Sequence, residues 1–418
     1  MLIQFSFENY KSFKDEAILD LSAAKMTEFS DRVVTIGSEK ILRVAAVYGA
    51  NASGKSNIYS AFKFMSNYVV NSFKYEEDED SIKKMRPTPF LFSDETENAD
   101  TSFEVYFTLP GDKAEKVYKY GFCVGNDGVT EEWLSSKAKS ARKFSPVFFR
   151  EAATNTLELS GLPKASRANI EIALEKQVLV ISLGAKLKVA KCKQIRDWFL
   201  NNKVADFGNL LTSLFMHTRL PRGFVGDPKV RANVVKYFSS FDEAIKDFRV
   251  EKVPSEASDE KDNTRKYNVT TIHKKIGSNQ VAELPLRDES AGTLKMLALY
   301  PELLEVLQKG GVYFIDELNA RLHPLLVRNF ILTFLNPEIN VNYAQLVFTT
   351  HDTWQLSNQL LRRDEIWFTE KDDQGVSTLY SLADFVDEDG AKIRKDESYE
   401  KNYLLGKYGA IPILKALT

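Results

Sequence analysis

A glycine-rich turn near the start of the chain constrains the fold more than any other feature. Residues 49–56 read Gly-Ala-Asn-Ala-Ser-Gly-Lys-Ser and match the GxxxxGK(S/T) pattern in full. The apolar run 41–48 precedes the turn and is typical of a buried strand, while residues 57–73 have helical spacing of apolar side chains. This order of strand, turn and helix aims backbone N–H groups at an anion. The sequence therefore predicts a site for the phosphates of a nucleotide.

The residue types of this turn suit that task. Gly49 and Gly54 allow the tight turn and the close approach of the backbone. Lys55 would reach the β- and γ-phosphates, and the Ser56 hydroxyl would bind magnesium, so ATP and Mg²⁺ are the expected cofactors. GTP stays open because the motif reads phosphates and not the base. The predicted nucleotide-binding set comprises Gly49, Ala50, Asn51, Ala52, Ser53, Gly54, Lys55, Ser56 and Asn57.

Two later apolar runs end in polar residues that could complete the site. The run 312–315 leads into Asp316, which we expect to hold magnesium, and Glu317, which would polarise the attacking water. The run 347–350 leads into His351, and one helix and one strand fit between Glu317 and His351. This places His351 at a neighbouring strand end, where its N–H could donate to charge developing on the γ-phosphate. The predicted catalytic residues are Glu317, His351 and Lys55.

A fourth element opens the predicted helix 291–309. Residues 289–293 read Glu-Ser-Ala-Gly-Thr. Serine and glycine at a helix start are commonly only a cap, but the same geometry also forms an anion site. We favour the anion site and include Ser290 and Gly292 among the predicted nucleotide contacts.

Composition narrows the class of protein. The chain has 418 residues, of which 44% are apolar and 27% charged, as in folded soluble proteins with more than one core. A net charge of −2 means that any contact with nucleic acid must come from a local patch. Cys123 and Cys192 fit no metal or disulfide framework. Residues 1–8 do not have the pattern of a signal peptide, and no window predicts a membrane helix, so a cytoplasmic protein is expected.

The order of predicted elements suggests three regions. Strands alternate with helices in the last third, which favours a largely parallel sheet covered on both faces. We expect an N-terminal ATPase lobe at 1–134, a mainly helical insertion or lid with a linker at 135–280, and a C-terminal lobe at 281–418. Within the insertion, 227–250 is expected to carry a helix, and 254–266 is a polar, charged linker.

With these four elements in this order, the chain resembles ABC-type ATPases of the SMC and RecF group. Its opening residues 3–13, IQFSFENYKSF, are similar to that group's first strand and "NF(R/K)SF" turn. More narrowly, it resembles the stand-alone AAA-type ATP-binding proteins of bacterial abortive-infection and anti-phage systems, relatives of the OLD-family ATPase domain. That narrower resemblance is carried by RPTPF at 86–90, DEL at 316–318 with LHP at 322–324, TTHD at 349–352 and LGKYGAIP at 405–412.

The resemblance implies an ABC-type P-loop NTPase fold, an α/β fold with a mixed sheet flanked by helices and an insertion between two lobes. It also implies that the signature turn of one subunit caps the nucleotide on the P-loop of another, so Ser290 and Gly292 would act in trans. Residues 319–322 would be the D-loop that crosses the dimer interface, and His351 would belong to the H-loop. Tyr10 or Lys11 would contact the adenine.

The sequence departs from the family pattern at two points. Glu289 and Ala291 replace the first and third residues of the commoner LSGGQ signature. No clear glutamine marks the magnesium-contacting Q-loop, although Glu131 or Glu132 could lie in that region. These departures bear on the turnover rate more than on nucleotide binding.

The expected function is that of a magnesium-dependent ATPase and molecular switch. Two subunits, or a higher oligomer, would close around ATP and control a separate effector protein, a nuclease or toxin, in anti-phage defence. Nucleic acid stays open as a further partner of residues 135–280, and no membrane partner is expected. The alternatives are a nucleotide-sensing scaffold with little turnover and a DNA-repair or chromosome-associated ATPase. An ordinary AAA+ module is disfavoured because Lys55 and Asp316 lie in the first and last thirds of the chain.

Overall fold

The computed structural model describes residues 1–75, 85–209, 216–239, 241, 244–252, 267–386, 390 and 392–412. Its strands are β1 Leu2–Glu8, β2 Ala17–Asp20, β3 Val34–Ile36, β4 Glu39–Ile41, β5 Val44–Gly49, β6 Thr101–Thr108, β7 Val117–Gly125, β8 Gly128–Lys137, β9 Ser145–Glu151, β10 Thr156–Glu158, β11 Lys203–Asp206, β12 Ile245–Lys252, β13 Tyr267–Lys274, β14 Val281–Pro285, β15 Val312–Asp316, β16 Gln345–Thr349, β17 Ile366–Lys371 and β18 Ser377–Ser381. Its α-helices are α1 Lys55–Asn71, α2 Asp94–Glu97, α3 Lys164–Ala173, α4 Val180–Lys186, α5 Ala190–Asn201, α6 Pro228–Phe238, α7 Ala291–Lys309, α8 Pro324–Leu335 and α9 Tyr399–Leu404.

The first compact unit comprises Met1–Ala205, Val306–Leu318 and Phe330–Thr418. It contains an antiparallel sheet in the order β10-β9-β8-β7-β6-β1-β2. The apolar side chains that alternate along β1 and β6, such as Phe5, Phe7 and Phe103, are fully or almost fully buried. Within this sheet β1 pairs with β2 and β6 pairs with β7, so consecutive strands form antiparallel hairpins.

The second sheet of this unit positions the site. Its order is β11-β15-β16-β5-β17-β18, and β5 runs parallel to both of its neighbours, β16 and β17. All residues of β5, β15 and β16 are buried, as expected for parallel strands covered on both faces. Helix α1 places Ile58, Phe62, Met65 and Val69 on one buried face. The expected α/β fold with a mixed sheet and flanking helices is confirmed.

The second compact unit comprises Asp206–Glu305 and Asn319–Asn329. It holds an antiparallel sheet in the order β12-β13-β14. Its core forms between α6, β12 and α7, and it consists of Phe224, Val234, Phe238, Ile245, Phe248, Leu286, Leu297 and Tyr300.

These units divide the chain at positions that differ from those expected from the sequence. Residues expected to start the insertion at 135 instead complete the first unit, because β8 and β9 extend its antiparallel sheet and Phe148 and Trp198 lie in its core. The second unit also mixes strands with helices, whereas a mainly helical insertion was expected. The helix expected within 227–250 ends at Phe238 and is followed by β12.

Two further expectations concern the linker and membrane-spanning helices. The expected linker 254–266 lies outside the described residues. Among the residues that are described, no helix is long and apolar enough to cross a membrane.

Candidate nucleotide-binding site

The glycine-rich turn joins β5 to α1, as the motif predicts. Two of its glycines have no room for a side chain. A Cβ atom on Gly49 would lie 2.5 Å from the carbonyl oxygen of Thr369, and one on Gly54 would lie 2.7 Å from Oγ of Ser377. Gly54 also has a φ of +116°, a region that L side chains rarely adopt. The turn is therefore pressed closely against β17 and β18.

Lys55 is the first residue of α1, and its side chain is buried against the turn itself. Its Nζ donates to the carbonyl oxygen of Gly49 at 2.8 Å and to that of Ala50 at 2.9 Å. Burial lowers the pKa of Lys55 to about 8, although the carboxylates of Glu317 and Asp316 oppose this shift. The ammonium group is thus held where a phosphate could replace the two carbonyl oxygens.

The ends of β15 and β16 bring the acidic pair and the histidine together. Oγ1 of Thr349 donates to Oδ1 of Asp316 at 2.5 Å and accepts from the backbone N–H of Glu317 at 2.9 Å. Glu317 has a φ of 55°, an uncommon conformation for a residue with a side chain, and such strain clusters at functional sites. Nε2 of His351 lies 3.0 Å from Oε1 of Glu317. Two of the three predicted catalytic side chains, Glu317 and His351, are therefore in direct contact.

A cavity of about 410 Å³ opens between these elements. Its lining residues come from the turn, from α1 and from three strand ends, and they are Asn51, Ala52, Gly54, Lys55, Ser56, Asn57, Glu317, His351 and Lys371. The structure thus brings most of the predicted residues to one place. Asp316 precedes the lining residue Glu317 and is itself only 3% exposed, and its carboxylate accepts a hydrogen bond from Thr349.

Lys371 is the lining residue that the sequence did not reveal. It is the last residue of β17, which pairs with β5 so that Thr369 lies opposite Gly49. Because parallel strands end at the same edge of a sheet, Lys371 reaches the rim of the phosphate loop. Its local sequence, Glu-Lys-Asp-Asp, reads only as a solvated turn. No local signal could have found it, since its place depends on which strand pairs with β5.

The opening turn of the chain supports the site from behind. Oγ of Ser12 accepts from Nδ2 of Asn57 at 2.7 Å and from Oγ of Ser377 at 2.8 Å. These bonds connect the opening turn, the start of α1 and the start of β18. Ser12 and Ser377 are thus positioning residues that sequence reasoning missed.

The expected adenine contacts are placed differently. Nζ of Lys11 donates to Oγ of Ser60 on α1 at 2.9 Å, and Lys11 does not line the cavity. Tyr10 is 4% exposed and packs against the rings of Phe7 and Phe103. Tyr10 is therefore a core residue, because its ring is already covered by its neighbours.

Glu132, one of the two residues that could lie in the Q-loop region, belongs to the core. Glu132 is fully buried, and its carboxylate accepts from the hydroxyl of Tyr120 and from the backbone N–H groups of Val180 and Ile181 at the start of α4. Burial raises the pKa of Glu132 to about 7. The carboxylate thus caps a helix in the core.

The signature turn lies in the second unit, at the start of α7. Oγ of Ser290 accepts from the backbone N–H of Thr293 at 3.0 Å, so the serine does cap the helix. Oε1 of Glu289, at the unusual first position, lies 2.7 Å from Nε2 of His273 on β13. Glu289, which replaces the leucine of the commoner signature, thus has a polar partner in His273.

Comparison with known proteins identifies the family. The family described as "AAA domain, putative AbiEii toxin, Type IV TA system" matches residues 44–175 and 197–353, which is more than half of the chain. The chain belongs to this family. The match spans the phosphate loop, the signature turn, Asp316 and His351, so the resemblance to ATP-binding proteins of abortive-infection type is confirmed.

Other comparisons are more distant. No curated protein matches the chain. The match to the structure of the SMC head domain from Thermotoga maritima covers 91% of this chain and 98% of that domain's chain. The sequences are 15% identical, and the TM-score is 0.43. The match to a structure of the recombination mediator protein RecF with ATP, in the RecFOR pathway, covers 91% of this chain and 97% of the RecF chain. The sequences are 13% identical, and the TM-score is 0.32.

Proposed function

We propose that the chain is a magnesium-dependent ATPase whose ATP-bound subunits pair and control a separate effector. The observation that carries this proposal is the cavity in which the phosphate loop, Glu317 and His351 converge. A cavity of this size, lined by the buried cation of Lys55 and the carboxylate of Glu317, suits a nucleoside triphosphate.

Each side chain has a definite role in this proposal. The ammonium group of Lys55 exchanges its carbonyl partners for β- and γ-phosphate oxygens and neutralises their charge. Glu317 accepts a hydrogen bond from the attacking water and orients it. His351, which contacts Glu317 in the free protein, donates from its ring N–H to the γ-phosphate when ATP is bound. Lys371 adds a second positive charge at the rim of the cavity.

The oxygen atoms at the site fit magnesium. A hydroxyl at Ser56 and a carboxylate at Asp316 are the hard oxygen ligands that this ion takes in nucleotide sites. Thr349 fixes the direction of the Asp316 carboxylate by donating to Oδ1. When held by Ser56 and Asp316, magnesium would reduce the negative charge of the phosphates, which repels the attacking water.

Pairing of subunits is the second part of the proposal. In this view Ser290 and Gly292 cap the nucleotide on the phosphate loop of a second copy, and ATP cleavage separates the copies. The family's description mentions a toxin and a toxin–antitoxin system, which supports the proposal that this chain controls a toxin in anti-phage defence. The effector would be a nuclease or toxin on another chain, and the second unit would carry the motion to it.

The test is the Glu317→Gln variant, compared with wild type in ATP turnover and in solution mass by light scattering. We expect turnover to fall by about 10²–10⁴-fold, the range for loss of a positioned base, while ATP binding persists. We also expect the mass to rise only when ATP and magnesium are present. Glu338→Gln, the same change at an exposed residue outside the cavity, should behave as wild type.

Other outcomes separate the alternatives. A mass that does not respond to ATP would reject ATP-gated pairing. Wild-type turnover far below one per minute with tight ATP binding would instead indicate a nucleotide-sensing scaffold. Strong stimulation of turnover by DNA would indicate a DNA-repair or chromosome-associated ATPase. The defence role is tested separately by plaque counts of phages on bacteria that express the chain with its genomic neighbours, with Lys55→Ala as the inactive control.

A further inference from the structure

A buried lysine in the second unit has no part in the chemistry above. Lys295 lies in α7 just after the signature turn, and its side chain is 0% exposed. Its Nζ donates to the carbonyl oxygen of Ala320 at 2.9 Å and lies 4.3 Å from the centre of the Phe207 ring. An ammonium group is costly to remove from water, and it remains buried only where such partners replace the water.

The bond from Lys295 joins two elements that are far apart in sequence. Ala320 belongs to the loop 319–322, in which the backbone N–H of Leu322 donates to the carbonyl oxygen of Asn319 at 3.0 Å. The same loop approaches the signature turn at a second point. A Cβ atom on Gly292 would lie 3.1 Å from the carbonyl oxygen of Arg321, closer than side chains ordinarily pack. The glycine thus allows the close approach, and the lysine fixes it.

We propose that Lys295 is a positioning residue that holds the signature turn and the loop 319–322 as one rigid element. Both parts would then meet the nucleotide of a second copy in a fixed relative orientation, so this inference rests on the proposed function. A lysine suits this task better than an apolar residue of similar size. A hydrogen bond to one carbonyl oxygen fixes the direction of a peptide group, whereas apolar packing only fills the space.

The first test replaces Lys295 with methionine, which keeps the length of the side chain and removes the donor. We expect kcat for ATP hydrolysis to fall about tenfold, the loss typical of a hydrogen bond to a charged group. The Kd for a fluorescent ATP analogue should stay unchanged, because the variant's own phosphate loop is intact. Lys309→Met, the same change at an exposed position of the same helix, should leave both values unchanged. Wild-type kcat in Lys295→Met would overturn the proposal.

The second test mixes Lys295→Met with Glu317→Gln. In a mixed pair, one of the two sites combines an intact Glu317 with the signature element of the other chain, in which Lys295 is intact. Turnover of the mixture should therefore exceed the sum of the two separate variants. A mixture of Ser290→Ala with Glu317→Gln serves as the reference, because Ser290 is proposed to act in trans.

The outcomes distinguish the two proposals. If only the Ser290 mixture regains activity, the inference about Lys295 fails and the proposed function stands. If neither mixture regains activity, the trans arrangement in the proposed function fails. Loss of ATP binding or of cooperative melting in Lys295→Met would show that the lysine merely maintains the fold, which also overturns the inference.

Discussion

Raising the pH should weaken ATP binding because Lys55 loses its charge in an accessible range. Burial lowers the pKa of this side chain to about 8 in the free protein. Its protonated fraction then falls from about 0.9 at pH 7 to about 0.1 at pH 9. If only the ammonium form binds the phosphates, the apparent Kd for ATP rises about ninefold over this interval. The terminal phosphate adds little to the change, since phosphate groups lose their second proton near pH 6, at about one unit below this range.

Bound phosphates should in turn raise the pKa of Lys55, because negative charge favours the ammonium form. ATP binding near pH 8 is therefore expected to take up about half a proton. Titration calorimetry in buffers of different ionisation enthalpy measures both quantities, with magnesium and ionic strength held constant.

The matched control is Lys55→Arg, which keeps a positive charge over the whole interval because a guanidinium group does not titrate there. Its affinity for ATP should be independent of pH, whatever its absolute value. A wild-type curve as flat as that of Lys55→Arg, with no proton uptake, would refute the argument. It would mean that Lys55 stays charged in the free pocket despite its burial.

Three further predictions concern residues around the site and in the core. Thr349→Val should lower kcat about tenfold with little effect on ATP affinity, since it removes the hydroxyl that orients both carboxylate-bearing residues; steady-state kinetics measure this. Lys371→Met should weaken ATP binding a few-fold, more at low salt than at high salt, whereas Lys395→Met, at an exposed site outside the cavity, should not. Burial raises the pKa of Glu132 from 4.5 to about 7, so its stabilising protonated form is lost as the pH rises through 7. Denaturant unfolding should show the difference in unfolding free energy between wild type and Glu132→Gln changing by roughly 3 kcal/mol between pH 5 and 8, and no change would contradict the assignment.

Much of the fold followed from short-range patterns. The helix at 291–309 was predicted with the bounds that the structure has, because it has apolar residues at helical spacing and a clear start. The buried strands β5, β15 and β16 were predicted within three residues, since continuous apolar runs next to polar turns leave few alternatives. These features depend on neighbouring residues in the chain, and the sequence displays them directly.

The division into units was harder to predict. Residues 135–205 looked like the start of an insertion because helices dominate their pattern, yet β8 and β9 pair with β7 and extend a sheet that begins at Leu2. Strand pairing depends on partners that are distant in sequence, and amphipathic helices pack equally well on either unit. The same limit applies to Glu132, because nothing in the local sequence shows that its carboxylate caps α4 in the core.

The sequence by itself indicated the kind of ligand and the residues proposed to meet its phosphates, because a strand, a glycine-rich turn and a helix start are consecutive in the chain. Only the tertiary structure decided what else surrounds that turn. The pairing of β17 with β5 brings Lys371 to the rim, and the fold of the second unit brings Lys295 to Ala320. The physical reason is the same in both cases. Contacts between segments far apart in sequence are selected by the packing of the whole chain, and no local pattern records them.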